Sequence, residues 1–112
     1  MGHRGWHMQR DGEALTLARR WPPRFDLSVE TRLPRVARKG RLAHQVRQDL
    51  WRALQDLRGF SPCVSLRETP EGLVLRAGGQ LDGAAPRAVA EARIAAVLED
   101  RGNRARWIGW AA

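Results

Sequence analysis

The chain has no tyrosine, a single cysteine and, among its 20 basic residues, a single lysine. Each scarcity excludes something. Cys63 alone cannot close an internal disulfide, so the fold must stand on its core, and a reducing compartment is compatible with it. Cys63 lies within an apolar run, where a small buried hydrophobe is its expected role. Long hydrophobic runs are also missing, and nothing approaches the roughly 20 residues of a membrane-spanning helix. "MGHRGWHMQR" has no apolar segment of the kind a secretory signal needs. Arg19-Arg20 is not followed by a hydrophobic stretch, which excludes a twin-arginine signal, and "MGHRGW" lacks the Ser or Thr of a myristoylation site. The expectation is a soluble cytoplasmic protein.

What is present is positive charge. The formal net charge is +8 and 43% of the 112 residues are hydrophobic, which fits one globular domain with one core. Every basic residue except Lys39 is arginine. A GC-rich coding sequence produces the same bias, so the distribution of charge says more than its kind. Residues 1–58 hold 13 basic and 6 acidic residues, while residues 59–112 hold 7 and 6. The positive field therefore belongs to the N-terminal half.

Residues 1–24 are expected to form an extension ahead of a single α+β domain over 25–112. Gly2, Gly5 and Gly12 weaken regular structure, and Pro22-Pro23 is a break. Trp6 and Trp21 are unusual in a free tail and call for a surface to cover them. "FDLSVETRL", residues 25–33, alternates with a period of two, with Leu27, Val29, Thr31 and Leu33 on one side, as in a half-buried strand. Leu42, Val46, Leu50, Leu54 and Leu57 then recur at spacings of three and four. They predict a helix over about 37–58 whose other side carries Arg41, Gln45, Gln48, Arg52 and Gln55. "CVSLRETPEGLVLRAGG" predicts a hairpin turning at "TPEG", with Gly78, Gly79, Asp82 and Gly83 in a following loop. "APRAVAEARIAAVLED" predicts a second helix, with Val89, Ile94, Val97 and Leu98 on its apolar face. "RARWIGWAA" alternates and predicts a terminal strand.

This order of strand, helix, strand, strand, helix, strand resembles the ferredoxin-like split βαβ arrangement over residues 25–112. The resemblance implies a four-stranded antiparallel sheet with two helices on one face. The other face would stay partly open unless the extension or a partner covers it.

Residues that carry chemistry are sparse. His3 and His7 share the N-terminal segment, and two histidines fall short of the four ligands of a structural metal site. His44 belongs to the polar boundary of the first helix. Cys63, Ser28, Ser61 and Ser65 have no partner histidine in motif spacing, and Glu99-Asp100 reads as solvated helix end. Gly78-Gly79-Gln80 is similar to the tripeptide of peptide-chain release factors, but Leu81, Asp82 and Gly83 depart from that family, and no role is carried over. The expectation is a non-enzyme with no cofactor and no metal.

The remaining signal is the basic helix with the tryptophans. Arg35, Arg38, Lys39, Arg41 and Arg52, with Gln45 and Gln48, can meet an acidic protein surface or neutralise phosphates. Arg and Trp are enriched at protein-interface hot spots, and Trp6, Trp21 and Trp110 lie towards the two ends of the chain. The leading expectation is a basic accessory, adaptor or assembly protein docking on an acidic partner or a larger protein complex. Nucleic-acid binding through the same helix is the alternative. The hairpin strands lack the paired aromatics of RNA-recognition sheets, which places the protein partner first.

Overall fold

The computed structural model describes residues 5–112. His3 lies outside the described residues. Eight elements follow one another: β1 (His7–Asp11), β2 (Ala14–Ala18), β3 (Leu27–Leu33), α1 (Lys39–Leu54), β4 (Phe60–Thr69), β5 (Gly72–Leu81), α2 (Arg87–Glu99) and α3 (Arg101–Ala111). The strands form one antiparallel sheet in the order β1-β2-β4-β5-β3.

Among the described residues the sheet has five strands and the fold three helices, so the four-stranded layout is corrected at both ends of the chain. At the N-terminal end, residues expected as an extension form a hairpin that enlarges the sheet. Asp11 pairs with Ala14 across Gly12-Glu13, and Gly12 supplies the positive φ of 60° that so tight a turn requires. β2 then pairs with β4, which sets Leu15 opposite Leu66 and Leu17 opposite Val64. All four side chains are fully buried. At the C-terminal end, the expected strand is helix α3. Asp100 caps it, its carboxylate accepting the Asn103 N–H at 2.8 Å. Trp107 and Ala111, one turn apart, face the core.

Between these ends lie three antiparallel strands in the order β4-β5-β3. β3 and β4 run parallel on either side of β5, with α1 as the crossover. Leu27 and Leu33 of β3 are buried and Val29 packs against the core. On α1, Leu42, Val46, Leu50 and Leu54 form a buried stripe, while Leu57, expected to continue it, lies beyond the helix end and is half-buried against the core. On α2 the buried residues are Ala90, Ile94 and Leu98, whereas Val89, expected on that face, is exposed. Helices α1 and α2 pack on each other and on the sheet, α3 packs on both of them, and the hairpin extends the sheet at the β2 side.

Gly78 and Gly79 belong to β5, not to a loop. The glycines read as breakers, but both stand where neighbouring backbones approach closely. A Cβ on Gly78 would lie 1.8 Å from the Leu27 carbonyl oxygen of β3, and one on Gly79 would lie 2.1 Å from the Ser61 carbonyl oxygen of β4. Gln80 donates its side-chain amide to Asp82.

Cys63 pairs with Ala18 on one side and Gly78 on the other and is buried. Burial pushes its thiol up to about 12, against the opposing influence of Arg76. Since the thiolate is the reactive species, an aromatic disulfide reagent at pH 8 should label native protein far more slowly than protein in denaturant. Equal labelling rates in the two states would contradict the burial.

Candidate functional site: a basic groove between the edge strand and the first helix

Opposite residues in an antiparallel pair share a face. Met8 opposes Leu17 and Arg10 opposes Leu15, so Met8 and Arg10 project on the helix side of the sheet. There they meet the first turn of α1. A Cβ on Gly40 would lie 3.3 Å from the Arg10 guanidinium and 3.5 Å from Met8 Sδ, so the absent side chain lets β1 approach the helix. A concave groove of about 1120 Å³ lies between these two elements. Its walls are Trp6 to Arg10, with Leu17 and Trp21, on the strand side, and Ala37 to Arg41, His44, Gln45 and Gln48 on the helix side. Trp110 of α3 completes the lining.

Eight of the ten residues picked out in the sequence line this groove: Trp6, Trp21, Arg38, Lys39, Arg41, Gln45, Gln48 and Trp110. Arg35 and Arg52 do not. Arg35 donates to the Thr69 carbonyl at the β4–β5 turn, and Arg52 is exposed on the last turn of α1. Arg41, Gln48 and Arg52 all face solvent.

The lining includes Arg10, Arg38, Lys39 and Arg41, and among the described residues it contains no Asp or Glu. The cations are not equivalent. Lys39 is held by Glu68 at 2.5 Å and serves chiefly to join α1 to β4. Arg38 anchors α3, its guanidinium donating to the Ala112 carbonyl at 2.6 Å and its N–H to the Ala111 carbonyl at 3.0 Å. Arg10 and Arg41 form no ion pair or hydrogen bond of their side chains among the described residues, so their charge is directed outward. No side chain caps α1, and its first turn contains no acidic residue. The positive end of the helix dipole therefore adds to the field there.

The aromatic residues also differ. Trp6 is half-buried, with the guanidinium carbons of Arg47 and Arg19 at 4.6 and 5.7 Å from its ring centroid. Burial, and then the Arg19 charge, lower the pKa of Arg47. Trp21 is 40% exposed and tilts against His7 at 6.1 Å, while Trp110 is 57% exposed. Arg106 helps fix the neighbouring wall. It donates to Gln45 Oε1 at 2.8 Å and to Asp49 Oδ2 at 2.7 Å. Arg38, Arg41 and Trp110 also line a shallower depression with Arg106 and Gly109, so the basic surface continues over the start of α1.

His7, Met8, Gln9, Arg10 and His44 were not among the expected site residues. Only Asp11-Gly12, a hairpin dipeptide, signals that Arg10 returns to the sheet and reaches α1. Arg47 donates weakly to His44 Nδ1 at 3.4 Å. Among the described residues no group of three or more His, Cys, Asp or Glu is placed to hold a metal ion. No helix among them is long and apolar enough to cross a membrane.

The ion pairs give the fold a pH dependence of defined sign. Hydrogen bonding from Lys39 holds the Glu68 carboxyl below its ordinary range, and Arg24 and Arg93 do the same for Asp26 and Asp56. A carboxyl depressed in the folded state stabilises it above the unfolded pKa, and that contribution is lost as pH falls through the folded pKa. Urea midpoints should therefore be nearly flat between about pH 5 and 8 and fall below about pH 4. A midpoint that rises on acidification would contradict these pairings.

Compared with protein-family models, curated proteins and solved structures, the chain matches none.

Proposed function

We propose that this protein is a non-catalytic docking module, an accessory or adaptor that holds an acidic surface of a protein partner in the groove between β1 and α1. The observation that supports this most is the composition of the lining: among the described residues, four cations, three tryptophans and no carboxylate. Such a wall raises the local concentration of an anionic partner and accelerates its capture. The tryptophans supply large contact areas at small entropic cost.

Nucleic acid is the second reading, favoured by the exposed Trp110 beside Arg38 and Arg41. Two features weigh against it. Two guanidinium groups already lie over the Trp6 ring, which leaves a base little room to stack. Only Arg10 and Arg41 of the lining cations have no partner among the described residues, enough for one local acidic contact but few for a phosphate backbone tracked over several nucleotides.

Titration with polyglutamate and with mixed-sequence single-stranded RNA and DNA, across a salt series, tests the choice. Polyglutamate should bind, and the double variant R10E/R41E should weaken that binding by about tenfold or more while keeping the wild-type unfolding midpoint. Tighter binding of the oligonucleotides, with a steep loss in salt, would overturn the protein-partner reading. Lys39 is left unchanged because Lys39→Glu would set two carboxylates together at Glu68.

A further inference from the structure

The two edges of the sheet are finished differently. At the β3 edge, polar side chains occupy two of the backbone groups. The Glu91 carboxylate accepts the Ser28 N–H at 3.0 Å, and Arg104 donates to the Arg32 carbonyl. Helix α2 packs along the same strand. Nothing among the described residues covers the β1 edge in this way. Among the described residues, no group outside β2 bonds the backbone of His7–Asp11, and all five residues are exposed. An edge strand left in this state is a template for another chain. Here the open edge is also a wall of the carboxylate-free groove.

We infer that the partner's acidic segment binds in extended form, adding as a sixth strand antiparallel or parallel to β1. Every second residue of such a strand exchanges backbone hydrogen bonds with β1, and alternate side chains project on the helix side. Carboxylates at those positions enter the field of Arg10, Arg41 and the start of α1. The other side chains project towards the outer face of the sheet, so the recognised segment alternates acidic residues with residues of little constraint. This rests on the docking reading above and specifies the conformation of what is docked.

The test uses the full chain and three capped peptides of alternating Glu and Thr, about ten residues long so that they span the five-residue β1 in any register. One peptide is unmodified. The other two carry backbone N-methyl groups on the Glu residues or on the Thr residues. Strand addition requires that one methylated series lose binding by about tenfold or more while the other keeps it, since only one set of amides faces β1. It also requires that amide exchange within His7–Asp11 slow on binding of the unmodified peptide. Equal affinity of all three peptides, or β1 amides unprotected in the complex, would overturn strand addition and leave the charged groove as the binding site. Failure of every peptide to bind at low salt would overturn both.

Discussion

Gly78→Ala should cost about 3 kcal/mol or more of folding stability, placing it among the severe single substitutions. The added methyl group would lie 1.8 Å from the Leu27 carbonyl oxygen, a backbone atom with no rotamer to escape into. Strand β3 would have to leave β5, and with it the register that buries Leu27 and Leu33. Gly79→Ala meets the same obstacle on the other side, at the Ser61 carbonyl. It also sits at φ 145°, a conformation costing a residue with a Cβ roughly 1–3 kcal/mol. Gly109 provides the control. A Cβ there meets nothing within 4 Å and the site is helical, so Gly109→Ala should be neutral or add up to about 1 kcal/mol. Urea unfolding of the three variants checks the ranking. Wild-type stability of Gly78→Ala would mean that the pair occupies a loop, as its composition suggested.

Trp107→Ala should cost a further large amount, about 3–5 kcal/mol. The ring is fully buried, and its Nε1–H donates to Asp49 Oδ2 at 2.6 Å. Asp49 is the one buried charged residue among those described, 9% exposed, and Arg106 balances it. Trp107→Phe separates the two contributions. It keeps most of the packing, leaves Asp49 with Arg106, and should cost about 1–2 kcal/mol. Both variants should loosen α3 from α1 and carry Trp110 away from the groove. A small loss for Trp107→Ala would fit a half-exposed edge strand and contradict the helix.

That contrast shows what could be read from the residues alone. The stripe Leu42, Val46, Leu50, Leu54 specified α1 because its period matches no other element, and the alternation of Leu27 to Leu33 specified β3 for the same reason. Thr69-Pro70-Glu71-Gly72 placed the β4–β5 turn. Where periodicity was short, propensity misled. Trp107, Ile108 and Trp110 look like a strand, since large aromatics favour sheets. The overriding signals were the Asp100 cap and the spacing of Trp107 to Ala111. β1 left no pattern because an exposed edge strand buries nothing. The groove followed the same rule. Its helix wall was legible as a polar face rich in Arg and Gln, while Met8 and Arg10 reach it only through the Gly12 turn. Asp49 was hidden as well, a carboxylate beside an apolar stripe whose partners lie more than 50 residues away.

The most direct measurement is made on the five tryptophan indoles, each with its own N–H resonance. Three line the groove, while Trp51 stands exposed elsewhere on α1 and Trp107 is buried. On titration with the alternating Glu–Thr peptide, the Trp6, Trp21 and Trp110 signals should shift together, and those of Trp51 and Trp107 should stay in place. Movement at Trp51 with the groove tryptophans silent would put the acidic ligand on another surface and contradict the proposed site.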